Sequence, residues 1–370
     1  MRPLRIAAIV GTRPEAIKLM PVIFAARARP RQFEISVVRT GQHRELVDRL
    51  MDEFGLRADV DLDVMRPNQD LAHVMAESVR GLSEYVAAAK PDWVLVQGDT
   101  TTTFAGALAG FYNDARIGHV EAGLRTGNRR SPFPEEANRA LTARLADLHF
   151  APTEQARQNL LREGIDAASI VVTGNTVVDA LLRTLGRREL APADRGASPR
   201  YVLLTAHRRE NHGAALGRIC DALLLLLERH PDLSASVPMH PSPKVRDVLT
   251  GRLGRHDRVR LTEPLGYADF VRALDAAALV LTDSGGVQEE CAALGKPVLV
   301  LRHDTERREA IDAGVAILVG TDARQIADAG SALLDDAPRY ARMARPSDAF
   351  GDGNASARIL DALLDAPRRH

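Results

Sequence analysis

Short apolar runs recur along the chain, each ending in a polar turn and followed by an amphipathic stretch. The runs at 4–10, 35–39, 93–96 and 117–120, and then at 201–205, 234–239, 279–282, 298–301 and 316–319, read as strands. Most are continuously apolar and do not alternate, which is the pattern of parallel strands covered on both faces, and the amphipathic segments between them read as crossover helices. A greasier run at 223–227 is bracketed by Asp221 and Glu228. A membrane span needs about twenty apolar residues, so this one reads as a buried helix. Residues 183–200, rich in Arg, Ala and Pro, read as a linker between two halves of similar size. The predicted fold class is α/β, two doubly wound Rossmann-like domains in series, with ligand turns at the carboxyl ends of strands and the site between the domains.

Length and composition agree with two cores: 370 residues, 45% apolar. Forty-nine basic and forty-nine acidic residues cancel, with no cationic arm or stripe, so neither a nucleic acid nor a membrane surface is the expected partner. Any anion is recognised locally. Cys220 and Cys291 are the only cysteines, too few for a disulfide framework and suited to buried thiols in a reducing cytoplasm. The first apolar run is too short for a signal core.

Chemistry concentrates in the turns. The first strand runs into GTRPEAIK, where Gly11 permits a tight turn, Thr12 and Pro14 suit a helix start, and Arg13 and Lys18 add charge there, an anion site in outline. A dinucleotide fingerprint and a P-loop are both missing from the sequence. The third strand ends in GDTTTT, so Asp99 falls at a strand terminus, as Glu121 does after the fourth, and the fold argument brings two carboxylates toward one crevice. Residues 119 to 139, HVEAGLRTGNRRSPFPEEANR, carry Glu121, Arg125, Glu135 and Arg139. Their spacing allows either two i,i+4 ion pairs or a site for a charged substrate. In the second half, TDSGGVQEE sets Ser284, Gly285 and Gly286 between a strand and a helix, backbone suited to phosphate oxygens. Glu289 and Glu290 then either complement the helix dipole or accept ribose hydroxyls. His207 and His240 lack partners at metal-ligand spacing, and Asp61 and Asp63 read as solvated loop, so no metal is assigned.

Together GTRPEAIK, GQHRE, GDTTTT, HVEAGLRTG, PEEANR, GNTVVDAL, HRREN, TDSGGVQEE and LGKPVLV resemble, in order and spacing, the non-hydrolysing UDP-N-acetylglucosamine 2-epimerases, over nearly the whole chain. The resemblance implies a glycosyltransferase-B architecture: residues 1–182, joined by a returning C-terminal helix at 355–370, form the sugar and acid/base domain, and 183–354 the UDP-binding domain. It implies reversible conversion of UDP-N-acetylglucosamine to UDP-N-acetylmannosamine, by elimination of UDP to 2-acetamidoglucal and readdition, with no cofactor. Carbon 2 lies beside an amide nitrogen and not a carbonyl, so departure of UDP has to assist loss of its proton. By the same match Asp99, Glu121 and Glu135 are the acid/base set and His207 assists leaving-group departure. Arg13, Lys18 and Arg139 bind phosphate or sugar, and Ser284, Gly285, Gly286 and Glu290 hold diphosphate and ribose. Gln42, His43, Gln69, Arg208, Glu210 and His240 match an allosteric subsite for a second substrate molecule, and a homodimer is implied.

The chain departs from the family pattern at Leu46, at His212, and at Asp304 and Arg308, the last two near the expected diphosphate site. Arg129 and Arg130 raise an alternative substrate, a UDP-sugar with a uronic acid group. A hydrolysing epimerase, a glycosyltransferase on the same fold and a non-catalytic sugar-nucleotide sensor are the other readings.

Overall fold

The computed structural model describes residues 2–41, 44–66, 69–187 and 200–367, excepting the side chains of 44–46 and 209. The chain divides into two compact units, one ending at Arg183 and resuming at Gly351, the other Thr184–Phe350.

Unit 1 holds seven strands: β1 (Leu4–Val10), β2 (Phe33–Arg39), β3 (Val60–Asp61), β4 (Trp93–Gln97), β5 (Arg116–Val120), β6 (Leu148–Ala151) and β7 (Ile170–Val172). They form one parallel sheet in the order β3-β2-β1-β4-β5-β6-β7. Unit 2 holds β8 (Tyr201–Thr205), β9 (Ser234–Pro238), β10 (Val259–Thr262), β11 (Leu279–Thr282), β12 (Val298–Val300) and β13 (Ala316–Leu318), again parallel, in the order β10-β9-β8-β11-β12-β13. Each sheet starts in the middle, winds outward, then returns to wind the other way, so its switch point lies between β1 and β4 in unit 1 and between β8 and β11 in unit 2. Both units are Rossmann-like, and the pair is the glycosyltransferase-B type of chain.

Central strands are the apolar runs. Trp93, Val94, Leu95 and Val96 of β4 are fully buried, as are Leu279, Val280 and Leu281 of β11. Helices bury one stripe each against them: the helix Ala214–Arg229 turns Leu216, Ile219, Cys220, Leu223, Leu226 and Leu227 into the core of unit 2. Both cysteines are free and buried, and no described helix is long and apolar enough to cross a membrane.

The helix Ala355–Asp365 belongs to unit 1, burying Ile359, Leu360 and Leu363, each worth roughly 1.5–3 kcal/mol. Leu363 lies over Gly118 of β5, where a Cβ would come within 2.9 Å of Leu95 and 3.1 Å of Phe150. Asp179 fixes the start of this helix, accepting the N–H groups of Ala355 (3.2 Å) and Ser356 (2.8 Å). Burial nevertheless raises the Asp179 pKa above the ordinary carboxylate range against those bonds. The solvated-loop reading holds for exposed Asp63 but not for Asp61, which ends the edge strand β3 and pairs with the Arg39 guanidinium of β2.

Candidate active site

In unit 1 the turn after β1 is latched by Glu15, which lies in the first turn of the helix Arg13–Arg27. Its buried carboxylate accepts the N–H groups of Gly11 (2.7 Å) and Thr12 (2.6 Å). The other oxygen accepts the hydroxyls of Thr100 and Thr103, so one side chain ties the β1 turn to the β4 turn. Burial raises the Glu15 pKa, and these four donors work against that rise.

His119 supports the same turn from β5. Its Nε2–H donates to the Gly98 carbonyl at 2.7 Å, which fixes the tautomer because a carbonyl only accepts, and Nδ1 has no hydrogen-bond partner among the described residues. Burial pushes this imidazole down to about 3, so it stays neutral.

Glu121 follows β5 with φ of 63°, a left-handed conformation that costs a non-glycine residue roughly 1–2 kcal/mol. Its buried Oε1 accepts Lys18 Nζ at 2.5 Å and Asn175 Nδ2 at 3.1 Å, and Oε2 accepts the amide of Gln97. Asp99 pairs with Arg139 through Nη2, and Nη1 of the same guanidinium reaches both Glu136 (3.1 Å) and the Leu124 carbonyl (3.4 Å). Glu136 in turn accepts the N–H groups of Thr126 and Gly127 at 3.0 Å. Glu135 opens the helix Glu135–Leu145, and its buried Oε2 has no hydrogen-bond partner among the described residues.

Neither i,i+4 pair allowed by the spacing exists. Glu121 faces Lys18, Arg125 takes Glu163 through two bonds (2.6 and 2.8 Å), and Arg139 takes Asp99 and Glu136. Arg13 lies half-buried at its helix start. Arg129 and Arg130 are exposed in the loop before two cis-proline bonds.

In unit 2 the latch is Asp283, fully buried just after β11. It accepts the backbone N–H of His207 (3.0 Å) and of Arg208 (2.9 Å), and Asn211 Nδ2 (2.9 Å). The His207 ring stands 3.6 Å from Asp283 and stacks on His240, centroids 5.4 Å apart and planes 4° from parallel, while His212 Nε2 donates to the His207 carbonyl at 3.1 Å. Ser284 takes the N-cap position of the helix Gly285–Leu294 without a side-chain cap hydrogen bond, and a Cβ on Gly286 would meet open space. Glu289 and Glu290 point inward: Glu289 takes Arg307 Nε at 2.8 Å, and Glu290 takes the Tyr267 hydroxyl at 3.0 Å.

Arg208 reaches Glu306 at 3.3 Å and Arg302 reaches Glu210 at 2.8 Å. Burial works against the Glu306 charge, yet Arg307, Arg208 and Arg302 outweigh it and hold the carboxyl well below the usual range. Gln69 accepts the Arg66 N–H at 2.8 Å in its own loop, and Gln42 and His43 lie outside the described residues. Asp304 and Arg308 pair with each other at 3.0 Å, both mostly exposed, so these two departures answer one another at the surface. No described group of three or more His, Cys, Asp or Glu is arranged to hold a metal ion.

Sequence reading missed Glu15, Gln97, Asn175 and Asp283. Each left a signal: a polar residue at the edge of an apolar run or turn, as Gln97 is in WVLVQGD.

The UDP-N-acetylglucosamine 2-epimerase family model matches residues 25–364. The UDP-N-acetylglucosamine 2-epimerase of Bacillus subtilis (strain 168) is 46% identical over 365 residues, covering 98% of this chain and 96% of the relative. That of Escherichia coli (strain K12) is 46% identical over 370 residues, covering 97% and 98%. The crystal structure of the Neisseria meningitidis UDP-GlcNAc 2-epimerase bound to UDP-GlcNAc is similar with a TM-score of 0.91, at 41% identity, covering 98% of this chain and 100% of that one.

Proposed function

Because the chain belongs to the UDP-N-acetylglucosamine 2-epimerase family, we infer how its residues divide the work of that reaction. The protein is an isomerase that epimerises UDP-N-acetylglucosamine at carbon 2. In our reading a carboxylate removes the carbon 2 proton as the bond from carbon 1 to the UDP oxygen breaks, and UDP leaves with that electron pair. The resulting 2-acetamidoglucal takes UDP back at carbon 1 while a proton is delivered to the opposite face of carbon 2, giving UDP-N-acetylmannosamine.

Asp99, Glu121 and Glu135 are the acid/base set, Arg13, Lys18 and Arg139 serve phosphate or sugar, and unit 2 takes UDP through Ser284, Gly285, Gly286 and Glu290 with His207 beside the leaving oxygen. Lys18 also holds Glu121. The observation that carries the reading is Glu121 itself: a buried carboxylate held by three nitrogen donors at the end of β5, next to Asp99 at the end of β4. Buried groups held this firmly suit general acid and base work.

Incubation with UDP-N-acetylglucosamine in deuterated water tests it. Deuterium at carbon 2 of both UDP-sugars is the expected outcome; free N-acetylmannosamine points to the hydrolysing reaction, and unlabelled substrate removes the reading.

A homodimer is the proposed assembly, supported by the exposed rings of Phe111 and Tyr112 and the exposed Leu141 on two helices of unit 1 that pack on each other. Sedimentation of Tyr112→Glu as a monomer is the expected result; an unchanged mass for both proteins at the monomer value rejects it. Activation by a second substrate molecule involves Gln42, His43, Gln69, Arg208, Glu210 and His240, and hyperbolic rather than sigmoidal substrate dependence in the parent enzyme rejects that. Two free, buried cysteines suit a cytoplasmic enzyme; fractionation of cells with an antibody checks the compartment.

A further inference from the structure

We propose that Gln97 and Asn175 are positioning residues for Glu121, each turning an amide N–H onto its carboxylate so that the carboxylate meets carbon 2 in one orientation. This rests on the acid/base reading of Glu121 given above. A carboxylate tethered by Lys18 alone would be held through one oxygen and its plane could turn. Here Gln97 binds Oε2 while Lys18 and Asn175 bind Oε1, so both oxygens are fixed. Three donors occupy most of the roughly four lone-pair sites of a carboxylate, which narrows the directions from which a proton can arrive.

The two amides come from different elements, Gln97 from the last position of β4 and Asn175 from the turn after β7. Both are buried, at 3% and 1% exposure, so neither amide is spent on bulk water. The Asn175 amide cannot flip freely, because its Oδ1 accepts the Val177 N–H at 3.2 Å and thereby directs the NH2 group at Glu121. Its turn is clamped in turn. A Cβ on Gly351 would come 2.9 Å from Gly174 Cα, and Asp179, four residues beyond Asn175, binds the start of the helix Ala355–Asp365. The GNTVVD segment, which no step of the chemistry uses, thus connects the returning helix to the carboxylate. Lys18, from the helix after β1, and neutral His119 on β5 are charged or titratable groups that face Glu121.

Asn175→Asp and Gln97→Glu keep size and replace a donor with a second carboxylate beside Glu121, which disfavours its ionisation. Expected are a 10- to 100-fold loss of kcat with KM and UDP affinity within about twofold, and an acid limb of kcat/KM about one pH unit higher. Gln97→Met, uncharged and similar in size, should lower kcat while leaving the limb closer to the parent's, and it serves if the new carboxylates prevent folding. Folded variants that match the parent in kcat and pH profile overturn the proposal. A parent enzyme that exchanges no deuterium at carbon 2 instead overturns the reading beneath it, and the proposal with it.

Discussion

The carboxyl end of β1 in unit 1 and that of β8 in unit 2 are one place in two copies of the same topology, and a buried carboxylate latches each. Glu15 accepts two consecutive backbone N–H groups, from Gly11 and Thr12, and Asp283 accepts two more, from His207 and Arg208. The latches differ in origin: Glu15 sits on the helix following β1 and reaches across to the β4 turn, whereas Asp283 sits at the end of the neighbouring strand β11 and reaches back. They differ more in what they present. Unit 1 sets the hydroxyls of Thr100 and Thr103 on its latch and carries the acids Asp99, Glu121 and Glu135; unit 2 surrounds its latch with imidazoles, Arg208 and a glycine-led helix start. The topology supplies a turn held still, and the residues beside the latch set its sign and, in the reading proposed above, the job: proton transfer in one unit and anion binding in the other.

The sharpest way to break this division is Glu121→Gln. It should lower deuterium exchange at carbon 2 by about 10²- to 10⁴-fold and leave UDP binding by calorimetry within about twofold. An equal loss of UDP affinity would erase the contrast.

Next come the latches themselves. Glu15→Gln should cost kcat and Asp283→Asn should cost UDP affinity, each by about 10- to 100-fold, since a charged hydrogen-bond acceptor is worth about 1.5–3 kcal/mol. Interchanged effects would assign the units the other way round.

A smaller effect concerns acid stability. Buried His119 has a folded value of about 3 against an ordinary 6.5. The unfolded chain therefore binds its proton first, and stability falls as pH drops through that window, by about 2 kcal/mol between pH 7 and 5. His119→Gln should flatten urea midpoints over this range, and His207→Gln, at a ring 42% exposed in unit 2 whose pKa burial also lowers, should flatten them less. The smallest is Asp304→Asn, which breaks an exposed pair and should shift stability by less than about 0.5 kcal/mol with no change in substrate preference.

How far the sequence told this in advance depended on burial. Central strands such as β1, β8 and β11 are continuous apolar runs and were legible to the residue. The strands β3, β7 and β10 were not, being two to four residues long and partly exposed at or near sheet edges, and β6 was hidden by His149 within it. Among the candidate residues, the placement of Asp99 and Glu121 just past strand ends was legible because the fold class puts turns there. Their partners were not: Lys18 lies 103 residues from Glu121 and Asn175 lies 54 residues from it, so local spacing pointed to Arg125 instead.

The helix Ala355–Asp365 completes a unit whose other residues end at Arg183, while unit 2 is one unbroken stretch. On the ribosome, at about 5–20 residues per second, the second unit emerges whole while the first is still lacking a helix. Until those residues emerge, Asp179 has no Ala355 or Ser356 amide to accept and Gly118 has no leucine above it. Order of synthesis and order of completion are thus reversed, and the unit made first is the one finished last.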